Sequence, residues 1–504
     1  MNTKESIVFG AAIILGLAGF FLSYYTTNGN GAYWWDEGEY GILSRSLSTN
    51  GFFGFFGAPS FRSPMLPEFI AIFRALVGNL AWSVTIPFFS AMSAMVIFII
   101  GKKLYDWKAG IIAGVAMLFS SLYIFYSGRM LTEIVGVFFS ALSIYFFYQA
   151  FETNRKRDFI LATLFIACGF LVFYRYLMVI AGMGLFAIIF RFSGLLKNWK
   201  NLLMSGALLL VILLPLFVYS TTYYGSPQGM FTTQYLGQSQ VEPTEWFIYG
   251  GGQWMIFHIF SNELLVFLLI MAMIYALLFS KRELGYLSLM FLIIFISASV
   301  LLNHKEDRYL LPMFPVAYLA VGVFSAEIIT KAYRGIRGFG LEGQKSEIAA
   351  FKMLGGVIVI VMLYYATFGN ITPAFSLYES KKPSFGEVKQ AAIFVRDNSL
   401  PDEVLMTDSV TAMFHSERPS IGFPPANITA MLDDVKTKKP SYLIIDVYES
   451  RDMYIQAINT FRNITTPTNS IEYVLLNSDK FLFLKAIPSE QSPYAMVFKI
   501  AQVN

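Results

Sequence analysis

The chain has 504 residues, of which 56% are hydrophobic and only 14% charged, and 37 basic against 33 acidic side chains leave a net charge of +4. So much apolar surface cannot fold into one soluble core, which excludes an ordinary soluble globule and places the chain in a membrane. Most basic residues before the tail sit in short loops between apolar runs, a mark of membrane topology rather than nucleic-acid binding, and the single cysteine, Cys168, excludes an intramolecular disulfide and a cysteine-based zinc site.

In chain order, apolar stretches near the roughly 20 residues a spanning helix needs fall at about 6–25, 82–102, 109–126, 133–150, 158–173, 176–191, 202–220, 255–279, 285–302, 309–330 and 351–368. Met1 to Ser6 is weakly basic and no small-x-small cleavage site precedes Tyr24, so the first run reads as an uncleaved helix. Alternate loops carry Lys102, Lys103 and Lys108; Arg155, Lys156 and Arg157; Arg191, Lys197 and Lys200; Lys281 and Arg282; and Lys331, Arg334, Arg337, Lys345 and Lys352. The positive-inside rule makes that side cytoplasmic, with the N-terminus inside and the C-terminal tail outside. The expected fold is therefore a polytopic α-helical membrane protein of about eleven transmembrane helices, residues 1–370, followed by a soluble extracytoplasmic α/β domain over 371–504.

The first outer loop, about 26–81, is too long for a turn, and two of its segments read as short interfacial helices. Over about 36–49, Tyr40, Leu43 and Leu47 recur at helical spacing behind Asp36 and Glu37, acids that suit the positive end of a helix macrodipole. Over about 65–78, Met65, Phe69, Ile72, Phe73 and Leu76 form an apolar side between Pro64 and Gly78. Between them, Gly51-Phe52-Phe53-Gly54-Phe55-Phe56-Gly57 reads either as an aromatic membrane anchor or as a flexible cleft wall. In the tail, Glu403–Thr407, Tyr442–Val447, Tyr473–Leu476 and Phe481–Leu484 read as strands, and Glu387–Asp397 and Leu432–Thr437 as helices.

Ionisable residues that are not topology signals gather in the outer loops. Asp36 and Glu37 follow the first span; Arg129 and Glu133 flank the turn between the third and fourth; Arg175 follows Tyr174 in a tight turn; and His304-Lys305-Glu306-Asp307-Arg308-Tyr309 precedes an apolar run. Carboxylates beside a bilayer are costly unless solvated, paired or used, so these acids are either helix caps in interfacial ion pairs or chemical groups. Arg62 and Arg175 either snorkel to head groups or bind a phosphate, and guanidinium geometry suits both. The dense run 304–308 opposes the positive-inside bias: it is a solvated loop or a ligand for a lipid phosphate. His258 reads as a packed or interfacial histidine and His415 has no ligand-spaced partner. No Walker loop, dinucleotide fingerprint or Gly-x-Ser-x-Gly elbow is present.

Four motifs, Trp35-Asp36-Glu37-Gly38-Glu39-Tyr40, Phe61-Arg62-Ser63-Pro64-Met65-Leu66-Pro67, Gly128-Arg129-Met130-Leu131-Thr132-Glu133 and His304-Lys305-Glu306-Asp307-Arg308-Tyr309-Leu310-Leu311-Pro312, together resemble the polytopic GT-C glycosyltransferases. The match is to the protein O-mannosyltransferase and aminoarabinose-transferase group. Serine at position 63 stands where a second proline is common in that group, and the loop 221–252 has no recognisable acceptor signature. The resemblance implies transfer of a sugar from a polyprenyl-phosphate donor to a protein, lipid or glycan acceptor on the outer face of a membrane, expected to be the plasma membrane, by an inverting single displacement. It implies Asp36 as the base and Glu37 as its positioning partner. Arg62, Arg129, Glu133, Arg175, His304, Lys305, Glu306, Arg308 and Tyr309 would bind the donor. A carboxylate cluster could also hold a divalent cation, so the metal is left unassigned. The competing reading is a lipid or solute transporter or flippase, although such proteins tend to carry mid-membrane charges and inverted repeats, and neither is evident here.

Overall fold

The computed structural model describes residues 3–27, 35–50, 62–233, 264–279, 282–301, 307–337, 344–369, 371–423, 428–448, 450, 481–487 and 494–501. The contacts divide the chain into two compact units, Met1–Asn28 with Phe52–Tyr378, and Gly29–Gly51 with Glu379–Asn504. The predicted strand 473–476, the aromatic segment 51–57, His258, and His304, Lys305 and Glu306 lie outside the described residues.

The first unit is helical. Its elements are α1 (Thr3–Thr27), α3 (Met65–Val77), α4 (Ala81–Leu104), α5 (Trp107–Leu118), α6 (Ser121–Ser127), α7 (Thr132–Thr153), α8 (Lys156–Val172), α9 (Leu177–Phe190), α10 (Phe192–Lys197) and α11 (Trp199–Tyr224), then helices 264–279, 282–301, 314–337 and 344–368. Among the described residues, six helices are long and apolar enough to cross a membrane, or seven if one bent pair counts as a single span. That pair is α5 and α6, which meet at 65° where the sequence predicts one unbroken run. Ser120 takes an extended backbone, φ −65° and ψ 137°, and interrupts the hydrogen-bond ladder. Helices α8 and α9 have 17 and 14 residues, short of the roughly 20 that span hydrocarbon at right angles.

Apolar side chains point outward along these helices: Leu210, Val211, Leu214 and Val218 on α11, and Phe351, Leu354 and Val357 on helix 344–368. Outward apolar faces with all backbone bonds closed inside each helix suit a hydrocarbon solvent. Helix-to-helix contact uses small residues instead. A side chain at Gly101 would place its Cβ 2.7 Å from Gly110 Cα, so α4 and α5 pack nearly backbone to backbone. Segment 65–77 is helical as predicted and ends at Gly78, whose positive φ of +61° glycine adopts without cost.

The second unit holds α2 (Trp35–Asn50) and a five-stranded sheet with β1 (Leu405–Met406), β2 (Ser420–Ile421), β3 (Tyr442–Asp446), β4 (Phe481–Ile487) and β5 (Ala495–Ile500) in the order β2-β1-β3-β5-β4. β1 pairs parallel to β2 and β3, whereas β5 pairs antiparallel to β3 and β4. Alternation along β3 sorts the core into two layers. Tyr442 and Ile444 pack with Val388, Ala391 and Val395 of helix 386–398; Leu443 and Ile445 pack with Met431 and Val435 of helix 428–438. Helix 410–416 and strands β2 and β5 are elements that the sequence pattern did not single out.

Candidate active site

In the helical unit the site is assembled from four backbone segments. The N-terminus of α7 brings Glu133, a 3-10 turn at Tyr174–Tyr176 brings Arg175, a second 3-10 turn at Asp307–Met313 brings Arg308 and Tyr309, and the segment before α3 brings Arg62. Pro312 has no N–H to donate to a helical ladder, which suits the 307–313 segment to a 3-10 turn ahead of helix 314–337.

Buried polar side chains tie these segments together. Ser140 donates to the Pro312 carbonyl, Ser143 and Tyr176 share a hydrogen bond, and Ser63 donates to the Val172 carbonyl. The Tyr174 hydroxyl donates to the Arg62 carbonyl at 3.2 Å, which anchors the Arg62 backbone beside the Tyr174–Tyr176 turn. Near the other end of the run, Ser23 and Thr27 of α1 donate to the Ser127 carbonyl. A Cβ at Gly128 would lie 2.7 Å from Thr26, so this position accepts only glycine without a shift of α1. These serines and threonines sit inside apolar runs, and small hydroxyl residues in a membrane helix commonly bond across helices; that was the available sign.

Four of the charged groups the sequence nominated are buried in this unit. Arg129 is 0% exposed, Glu133 2%, Arg308 8% and Arg175 9%. Glu133 Oε1 lies 3.5 Å from Arg308 Nε, which brings two of the nominated residues into an ion pair. Tyr309 is flanked by two cations, with the Arg175 guanidinium carbon 3.9 Å and the Arg308 guanidinium carbon 5.4 Å from its ring centroid. The face of an aromatic ring attracts a cation most where water is excluded, so the Tyr309 ring orients Arg175. Arg129 packs 5.3 Å from the Phe125 ring. Two residues past Arg308, Leu310 lines an apolar cavity with Leu265, Leu269, Phe291, Met313 and Phe314.

Asp36 and Glu37 belong to the second unit. They occupy the first turn of α2, are 8% and 1% exposed, and stand where the helix macrodipole favours negative charge. Among the described residues, no group of three His, Cys, Asp or Glu side chains is arranged to hold a metal ion. His415 stacks edge-on against Phe414, with centroids 4.9 Å apart.

The chain's similarity to known proteins agrees with this architecture. Residues 61–219 match the family model described as dolichyl-phosphate-mannose-protein mannosyltransferase. ArnT from Cupriavidus metallidurans bound to undecaprenyl phosphate superposes with a TM-score of 0.64 at 13% identity, covering 99% of this chain and 98% of that one. The Archaeoglobus fulgidus oligosaccharyltransferase superposes in its apo form with a TM-score of 0.58 at 11% identity, over 90% of this chain and 70% of that one. The same enzyme tethered to an acceptor peptide containing the NVT sequon superposes at 0.56 and 12% identity, over 99% and 74%. No curated protein sequence matches the chain. By fold the chain is similar to these polytopic GT-C membrane enzymes, with a unit of apolar helices and an α/β unit.

Proposed function

We propose that the chain transfers a sugar from a polyprenyl-phosphate donor to a protein, lipid or glycan acceptor at the outer face of a membrane. The observation that carries the reading is the 307–313 turn, where Arg308 meets Glu133 and Tyr309 meets Arg175. A polyprenyl phosphate brings an anionic head to this cluster, and its hydrocarbon tail suits the outward apolar faces of the helices. Three buried arginines, Arg129, Arg175 and Arg308, offer guanidinium forks, whose geometry matches phosphate oxygens. ArnT, whose fold the chain shares, was solved with undecaprenyl phosphate, and the archaeal oligosaccharyltransferase with an acceptor peptide.

In this reading the acceptor hydroxyl attacks the anomeric carbon while Asp36 takes its proton, and Glu37 holds Asp36 in place. The bond from the anomeric carbon to the phosphate oxygen breaks in the same step, with inversion. The leaving polyprenyl phosphate keeps the electron pair, and Arg129, Arg175 and Arg308 stabilise the charge that develops on it. Arg62, His304, Lys305 and Glu306 complete the donor site. The topology that goes with this is about eleven spans of the plasma membrane in residues 1–370, a cytoplasmic N-terminus, and a soluble extracytoplasmic domain over 371–504.

The test is to incubate membranes carrying the chain with a panel of labelled polyprenyl-phosphate sugars. Movement of one label onto a new acceptor, with loss of the donor, is the expected result. Labelled lipid that crosses between leaflets with its sugar still attached would instead establish the flippase reading.

A further inference from the structure

The helix that carries Asp36 and Glu37 packs in the same compact unit as the C-terminal sheet. Its partner is helix 410–416, and three positions on one stripe of α2, Gly38, Gly41 and Arg45, make the contact at helical spacing. A Cβ at Gly38 would lie 3.0 Å from the Val410 carbonyl oxygen, and one at Gly41 would lie 2.3 Å from the ring of Phe414. Both glycines therefore let the two helices approach more closely than a side chain allows. Arg45 closes the stripe. Its guanidinium carbon lies 4.1 Å from the Phe414 ring centroid, Nη1 donates to the Phe414 carbonyl, and Nη2 lies 3.1 Å from Glu417 Oε1. Phe414 itself is 5% exposed. The carbonyl accepting from Arg45 is one of those a helix leaves without an internal partner at its C-terminus, so Arg45 also caps helix 410–416.

We propose that Arg45 is a positioning residue: with Gly38 and Gly41 it locks α2 onto helix 410–416, so that the C-terminal α/β unit holds Asp36 and Glu37 in register for catalysis. The inference rests on the glycosyltransferase reading and adds a role for the C-terminal unit. Arg45 stands nine residues beyond Asp36, about 13.5 Å along a helix, so it does not touch the reacting atoms. Its effect on rate passes through the angle and depth at which α2 presents its first turn. A misplacement of about 1 Å is enough to cost about a hundredfold in rate.

The test uses full-length protein in lipid nanodiscs with two readouts. The first is sugar transfer, resolved into kcat and KM for the donor. The second is docking itself, read as the maleimide labelling rate of Ser44→Cys in a Cys168→Ala background, since Ser44 is buried on α2 and Cys168 is the only native thiol. Arg45→Ala and Gly41→Leu are expected to lower kcat by about a hundredfold with donor KM within about twofold, and to raise labelling about tenfold. The charge-swapped pair Arg45→Glu with Glu417→Arg is expected to recover labelling protection and part of kcat. Faster labelling with unchanged kcat would overturn positioning, and unchanged labelling in both single variants would overturn docking. Absence of transfer by the unsubstituted protein would sink the glycosyltransferase reading, and positioning with it; labelling then judges the docking alone.

Discussion

Arg308→Gln offers the sharpest test of the phosphate clamp, because the structure gives Arg308 a structural partner as well as a proposed ligand. Its Nε lies 3.5 Å from Glu133 Oε1, with side-chain exposures of 10% and 2%. Removing one member of a buried ion pair costs about 3–5 kcal/mol in stability, since the other charge stays buried. A phosphate bond is a separate loss. A hydrogen bond to a charged group contributes about 1.5–3 kcal/mol, which corresponds to a donor Kd weakened by about 10- to 150-fold. The two losses separate when Glu133→Gln is measured beside Arg308→Gln. Both variants lower the thermal midpoint, but only Arg308→Gln removes a cation from the phosphate, so its Kd rises more. Donor binding is titrated with a polyprenyl-phosphate sugar in nanodiscs, and unfolding is followed on the same samples. A Kd for Arg308→Gln within about twofold of the unsubstituted protein, alongside a lowered midpoint, would refute the clamp and leave Arg308 as a structural ion pair.

Tyr309→Leu keeps bulk but removes the aromatic face against Arg175, an interaction of about 2 kcal/mol where desolvated, so donor Kd should rise by about tenfold to thirtyfold. Tyr309→Phe keeps the face and should stay within about twofold in the same titration. In the second unit, Leu443→Ala opens a cavity in a fully buried layer of the sheet and should destabilise that unit by about 2–5 kcal/mol, seen as a lower-temperature unfolding transition.

The helices of the first unit were legible because hydrocarbon demands one simple pattern, a long apolar run with internal hydrogen bonding. The exception is instructive: the run at 109–126 stays apolar on average across Ser120 and Ser121, and mean hydropathy cannot register the extended Ser120 at which it bends by 65°. Helices 35–50 and 65–77 were legible from the spacing of Tyr40, Leu43 and Leu47 and from the Pro64 and Gly78 boundaries. The short strand β2 and the hairpin strand β5 escaped notice, the former being only two residues long. At the site, charge density in the loops expected to face outward pointed to Glu133, Arg175 and Arg308, but pairing is a tertiary fact. Nothing in the spacing says that Glu133 meets Arg308 or that Arg175 lies over Tyr309, residues far apart in sequence. The docking of α2 was hidden for a different reason. Gly38 stood inside a motif read for its acids, and its use as a contact position emerges only when Val410 is placed against it.

The central claim is that Asp36 removes the acceptor's proton during sugar transfer. Its most direct test is the transfer rate of purified Asp36→Asn protein with a saturating polyprenyl-phosphate sugar donor. Loss of a positioned general base lowers kcat by about 10²- to 10⁴-fold while the isosteric amide leaves donor Kd unchanged. Transfer by Asp36→Asn at the unsubstituted rate would contradict the account.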